Sequence, residues 1–278
     1  MVKIVTDSTA DIPRDLAQQQ GVLVIPDIIN FGLESFREGV DISKSEFFAR
    51  LITSETLPTT SQPSVGEFME AYASASGNGG EEVLAIHLGS TFSGLYGTAK
   101  LAADSAPKVP VTIYDSGLLT LGMGLLVLEA AKAARQGATL AEIVNMLDRM
   151  RPRTRVIAVL DTLEYLRRGG RLSRVSATLG KILSVRPVIQ VYENQLTQLA
   201  RTRHRQNSLD RLVQFAEMHA PFEHLLVLHT AALDAAASVA DRLSHLNSGA
   251  RPAIIEAGSV IGTHAGPGAV GFACVTAE

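Results

Sequence analysis

Short apolar runs alternate with amphipathic stretches along most of the chain. Residues 2–5 and 22–26 read as strands, separated by a helix that Pro13 opens and that ends near Gln20. Residues 31–38 read as a hairpin or loop region. A helix is expected over 41–52, with Ser43 as its cap and Phe47, Phe48, Leu51 and Ile52 on one face. A second begins after Ser64, which pairs with Glu67 as a capping box, and runs over 65–76 until Gly77-Asn78-Gly79-Gly80 breaks it. Strands over 83–88 and 109–114 then alternate with helices over 93–105, 118–136 and 139–150. Thr139 and Glu142 form the capping box of the last of these.

The pattern changes near Pro152. A strand over 155–160, a short helix over 162–168 and a helical stretch over 173–183 come first. Two antiparallel strands over 185–192 and 196–202 follow, joined by the polar turn Glu193-Asn194-Gln195. Helices over 206–219 and 231–246 and strands over 225–229, 253–256 and 269–275 complete the chain. The fold class expected is α/β in two domains. Residues 1–152 form a mostly parallel sheet with helices on both faces, and residues 153–278 form a mixed-sheet domain. Ligands of parallel sheets sit beyond the carboxyl ends of the strands, where Asp7, Ser90 and Asp115-Ser116 fall.

Composition narrows the functional classes. A net charge of −3 gives no global attraction to nucleic acid or anionic membrane. The single cysteine, Cys274, excludes internal disulfides and thiolate metal clusters. The N-terminus does not read as a signal peptide. The longest uncharged apolar stretch, 116–128, is too short to span a bilayer, so a cytoplasmic protein is expected. Residues 117–131, with Gly122 and Gly124, fit either a tightly packed core helix or a helix flanking a long apolar cavity.

Candidate chemistry collects in four loops. Pro58-Thr59-Thr60-Ser61-Gln62-Pro63-Ser64 sets four hydroxyls between and beside two prolines, and reads as an extended turn. Gly89-Ser90-Thr91-Phe92-Ser93-Gly94 follows a strand and opens a helix, where free amides favour anions. It has neither the lysine of a Walker loop nor the spacing of a dinucleotide fingerprint. Gly169-Gly170-Arg171 and Gly262-Thr263-His264-Ala265-Gly266-Pro267-Gly268 supply basic groups and a loop histidine. Hydroxyls, a histidine and helix-start amides together suit a carboxylate or a phosphate. Asp7, Ser8, Thr9 and Asp11 fit either a metal loop or a strand-to-helix turn in which Asp11 caps the next helix. From 149 to 186 there are ten basic residues against two acidic ones, followed by Arg201, Arg203 and Arg205. That region is either a solvated face or a surface for an anionic ligand or partner. RNA is disfavoured, since no aromatics for base stacking are interleaved.

Six segments together resemble the DegV family of bacterial fatty-acid-binding proteins. They are Val5-Thr6-Asp7-Ser8-Thr9-Ala10-Asp11, Thr60-Ser61-Gln62-Pro63-Ser64, His87-Leu88-Gly89-Ser90-Thr91-Phe92-Ser93-Gly94, Asp115-Ser116, Tyr165-Leu166-Arg167-Arg168-Gly169-Gly170-Arg171-Leu172 and the stretch Gly262 to Gly268. One departure is Phe92, where a familiar form of that loop has leucine. The resemblance implies two α/β domains with a long-chain fatty acid between them and no cofactor. It implies that Thr60, Ser61, Ser93 and His264 bind the carboxylate, helped by amides near Gly94. It also implies that the chain does no chemistry alone but presents the acyl chain to a separate fatty-acid kinase, with Arg171 and Arg201 serving the phosphate or the partner. Two rivals stay open. One is an enzyme on a small anion, with His264 as acid/base and Asp7 as metal ligand. The other is a nucleic-acid-binding regulator using residues 149–205.

Overall fold

The computed structural model describes residues 1–77, 80–106, 109–176 and 185–278. The amino-terminal half runs β1 (Lys3–Asp7), α1 (Arg14–Gln20), β2 (Val22–Ile25), β3 (Ile28–Phe31), β4 (Glu34–Arg37), α2 (Lys44–Thr53), β5 (Thr59–Ser61), α3 (Val65–Ala75), β6 (Val83–His87), α4 (Leu95–Ser105), β7 (Val111–Asp115), α5 (Thr120–Arg135) and α6 (Leu140–Met150). The carboxy-terminal half runs β8 (Thr154–Val159), α7 (Glu164–Arg168), β9 (Val175–Ser176), β10 (Arg186–Tyr192), β11 (Gln195–Thr202), α8 (Arg205–His219), β12 (Phe222–His229), α9 (Leu233–Leu243), β13 (Ile254–Glu256), α10 (Ser259–Ala265) and β14 (Val270–Thr276).

The strands form the two sheets expected and one more. Strands β2-β1-β6-β7 pair in that order, all parallel. Strand β6 is buried at every position, as a parallel strand covered on both faces should be. The second sheet is mixed, in the order β13-β12-β14-β8-β10-β11-β9. The third is a small antiparallel sheet, β4-β3-β5, where the sequence pattern presents only a hairpin or loop region over 31–38. Capping boxes at Ser43/Glu46, Ser64/Glu67 and Thr139/Glu142 start three helices.

Helix α5 packs both halves together. A side chain at Gly122 would meet Val156 of β8 at 2.6 Å, and one at Gly124 would meet the Ala10 carbonyl at 2.5 Å. The residues 117–131 are therefore a tightly packed core helix. Only its start, Leu119 and Thr120, reaches the main cavity.

Four expectations need correction. The Thr59–Ser61 segment is not a free turn: it is strand β5, registered on β3 as Ile29↔Thr60. Its prolines lie outside the paired residues, where their missing donors do no harm. His264 is not in a loop but on helix α10. A glycine inside that helix obscures the periodicity, yet Gly262 is needed there, because a Cβ would lie 2.6 Å from the Phe47 ring and 2.8 Å from the Phe48 ring of α2. Asp11 does not cap α1, which has no side-chain cap; its oxygens accept from Thr120 and Gly258 instead. Of the helical stretch expected over 173–183, residues 177–183 lie outside the described residues, and Val175–Ser176 is a strand on β11.

Helix α10 starts in a buried polar seam. Asp11 Oδ1 accepts from the Gly258 amide at 2.7 Å, and Glu38 Oε1 accepts from the Val260 amide at 3.0 Å. Ser8 Oγ stands 3.0 Å from Asp27 Oδ2 and 2.6 Å from Glu38 Oε2, and it accepts from the Asp27 amide. One hydroxyl has one proton to give, so one of the two carboxyls must itself be protonated to complete the set. Burial acts in the same direction, raising Asp11 and Asp27 and bringing Glu38 up to about 7.

Two outcomes are expected. A Gly262→Ala variant should lose about 1–3 kcal/mol of stability through overpacking against the two phenylalanines. An unchanged urea midpoint would show that the rings move aside. Glu38 titrates near 7 folded against 4.5 unfolded. Its contribution is therefore full below the unfolded value and is lost as pH rises through the folded one, by about 3 kcal/mol in all. Glu38→Gln, which cannot ionise, should lose less stability than the wild type between pH 5 and pH 8 in urea titrations. Parallel profiles would remove Glu38 from the pH dependence.

Candidate functional site

A cavity of about 440 Å³ opens between the two halves. That lies within the range of small-molecule sites, about 300–1,000 Å³. Its wall is mainly apolar. Val156 and Ala158 come from β8, Ile189 and Val191 from β10, Leu196 from β11 and Leu228 from β12. Alternation along each strand turns these residues to one face. Phe92 and Leu88 close the wall on the amino-terminal side. Phe92 is buried, so the departure from leucine adds ring volume inside the cavity wall.

Polar groups enter the cavity from several elements. Thr60 Oγ1 and His264 Nε2 are 3.0 Å apart. The two residues are 204 positions apart in the chain, and the packing of α10 on α2 and β5 brings them together. His264 abuts Gly169, where a Cβ would lie 2.5 Å from Nδ1. Arg171 Nη1 in turn donates to the Gly169 carbonyl at 2.8 Å. On the other side of Thr60, Ser61 Oγ accepts from Asn30 at 2.7 Å, which leaves its own proton to give. Gln62 lies against Gly94 and contacts Thr98 of α4. Ser93 Oγ accepts from the Leu95 amide at 3.2 Å and is likewise left with a proton to donate.

Burial, with the nearby charge of Arg171, lowers the His264 pKa to about 4. The imidazole is thus neutral at neutral pH. Its Nδ1 is buried without a hydrogen-bond partner. A proton there would be an unpaired buried N–H, which costs about 1–3 kcal/mol. The proton belongs on Nε2, donating to Thr60 Oγ1. That tautomer leaves the Thr60 hydroxyl proton free for a ligand.

Of the residues singled out from sequence, Thr60, Ser61, Ser93, Gly94, His264 and Arg171 all line the cavity. Arg201 does not: it is exposed on β11, paired with Pro187 of β10. Asp7 is also elsewhere. It is fully buried, its Oδ2 accepting from His87 Nδ1 at 2.9 Å and the Leu88 amide at 3.2 Å, and its Oδ1 from Thr9. Tyr72 completes that buried chain at His87 Nε2. Asp7 therefore holds the β1 turn and does not line the cavity that His264 lines. No group of three or more His, Cys, Asp or Glu that could hold a metal ion occurs among the described residues.

The cavity also takes in Thr9, Asp27, Thr120, Thr230 and Arg174, which the motif reading did not assign to it. Asp27 had no usable signal, being one carboxylate beside an apolar run. Arg174 lies in the basic stretch already noted, three residues after Arg171.

The comparisons with known proteins point to one family. The family model for the uncharacterised DegV family matches residues 1–277. A DegV domain-containing protein of Caldanaerobacter subterraneus is 38% identical over 283 residues, covering 97% of each chain. Two solved structures are similar throughout. A DegV family protein from Thermus thermophilus, described for its fatty-acid binding, is 31% identical with a TM-score of 0.87 over 99% of each chain. DegV of Bacillus subtilis, described as a fatty-acid-binding protein, is 30% identical with a TM-score of 0.89 over 99% of each. From the motifs, the α/β architecture and a match along the whole length, this chain belongs to the DegV family.

Proposed function

We propose that this protein binds a long-chain fatty acid, with the carboxylate on Thr60, Ser61, Ser93 and the amides near Gly94, and with His264 acting on it through Thr60. The acyl chain then lies along the apolar wall between a domain of residues 1–152 and one of 153–278. The observation that carries this reading is the Thr60–His264 pair, set in a mainly apolar cavity. The fatty-acid binding of the similar Thermus and Bacillus proteins supports it.

The physical terms favour it as well. A buried carboxylate costs several kcal/mol unless donors converge on it. Three hydroxyls supply those donors, one of them that of Thr60, which His264 backs. Each methylene buried along Ile189, Val191, Leu196 and Leu228 contributes about 0.8 kcal/mol.

The chain does no chemistry itself in this reading. It is cytoplasmic and hands the bound acid to a separate fatty-acid kinase. Arg171 meets the phosphate or the partner from inside the cavity, and Arg201 from the exposed face of β11. No helix among the described residues is long and apolar enough to cross a membrane.

The first test is native mass spectrometry of the purified chain, with organic extraction of what it carries. A long-chain fatty acid mass is expected. A chain that stays empty after incubation with oleic acid overturns the reading. Thr60→Val keeps the shape of the side chain and removes its hydroxyl, so it should weaken oleate binding about tenfold. Equal affinity would take Thr60 out of the head-group contacts.

A further inference from the structure

The turn between β10 and β11 reaches out of its own sheet and into the loops of the amino-terminal half. Glu193 and Asn194 both have left-handed backbones, φ 43° and 62°, which make a two-residue hairpin turn. Asn194 then spends its polar groups on the other half of the molecule. Its amide donates to the Gly117 carbonyl at 2.8 Å. Its Nδ2 donates to Asp115 Oδ2 at 3.1 Å. Its carbonyl accepts from Thr91 Oγ1 at 2.6 Å, and its Oδ1 lies 3.5 Å from the Thr91 amide.

The receiving loops are shaped for it. A Cβ at Gly89 would stand 2.6 Å from Asn194 Oδ1, and one at Gly117 would stand 3.2 Å from the Asn194 amide nitrogen. Asp115 ties the two loops to each other as well as to Asn194, since its Oδ1 accepts from the Ser90 amide at 3.1 Å and the Gly117 amide at 3.0 Å. Thr91 and Ser90 belong to the same short loop as Ser93 and Gly94, which line the cavity. The strands leading into and out of the turn carry Ile189, Val191 and Leu196, which line the cavity too.

We propose that Asn194 is a positioning residue for ligand binding: through Thr91 and Asp115 it fixes the Gly89–Gly94 loop so that Ser93 and the Gly94 amide face the ligand's carboxylate. One hairpin thereby carries part of the acyl wall on its strands and sets the head-group loop with its tip. This rests on the fatty-acid reading above, which assigns Ser93 and Gly94 to the carboxylate.

The test exchanges the two partners and removes the carboxylate from the ligand. Asn is one of the few residues that tolerate a left-handed backbone, and Asp and Gly are others. Asn194→Asp and Asn194→Gly therefore keep the turn while changing the side chain. Asn194→Asp puts a carboxylate against Asp115 and loses the donor. In the double variant N194D/D115N the donor sits on residue 115 instead, and its Oδ1 still accepts from the Ser90 and Gly117 amides.

Affinities of the delipidated full-length chain for oleic acid and for oleyl alcohol would be measured for each variant, with thermal unfolding alongside. Both single Asn194 variants are expected to lose about tenfold for oleic acid but less than about threefold for the alcohol. The double variant should recover oleic acid binding to within about threefold of wild type. Equal losses for acid and alcohol, or no recovery in the double variant, would reduce Asn194 to a brace between the halves and overturn the proposal. Wild-type protein that binds neither ligand would instead remove the fatty-acid reading, and this inference with it.

Discussion

The backbone amides that start helix α10 are buried, and a buried amide must be answered by an acceptor. Its own strand and turn supply none. Asp11 and Glu38 supply them from the amino-terminal half, across more than two hundred residues of sequence. An unanswered amide costs about 1–3 kcal/mol, so the two carboxylates hold the helix start firmly. They also hold what the helix carries. His264 lies near its other end, opposite Thr60, and Gly262 seats the middle on Phe47 and Phe48. The Thr60–His264 contact is thus a consequence of where α10 is anchored.

That anchoring brings carboxyl groups close to a cavity proposed to accept an anion. Asp27 lines the cavity, next to Ser8 and Glu38. An ionised Asp27 would oppose a fatty-acid carboxylate. Burial and the neighbouring Asp7 and Glu38 hold its pKa well above the usual range, which favours the neutral acid. The imidazole is driven the other way and is also neutral. The lining is thus polar without strong charge, except for Arg171 and Arg174. Neutral donors suit a ligand that must be held by its head group and later released, because a buried ion pair would be harder to separate.

The legible parts of the sequence were those set by local chemistry. Capping boxes, proline starts and β-branched runs depend on residues within one turn or one strand, and Ser64, Thr139 and the 83–88 run were read correctly. The polar loops were legible for a related reason, since hydroxyls and glycines clustered in short segments stand out from their surroundings. What failed depended on distant partners. Strand β5 exists because β3 offers an edge. Helix α10 tolerates Gly262 because two rings from α2 fill the place of a side chain. Asp11 reads as a cap because the sequence shows Pro13 two residues on and cannot show Thr120 or Gly258. Arg201 was marked by residue type alone, and its strand places it on the exposed surface instead of in the cavity.

Asp11 also decides where the cavity begins. Further along, α5 is closely packed on both sides: Gly122 lets Val156 of the other half approach its backbone, and Gly124 lets the Ala10 carbonyl of its own half do so. Space opens only at the helix start, where Leu119 and Thr120 line the cavity. Thr120 has φ 48°, a conformation unfavourable for a β-branched residue. Its hydroxyl donates to Asp11 Oδ2 at 2.5 Å, while Asp11 Oδ1 takes the Gly258 amide. One carboxylate therefore fixes the start of α5 on one side of the cavity and the start of α10 on the other. Loss of either hydrogen bond would free a boundary of the cavity, and both sit on a side chain that lines none of it.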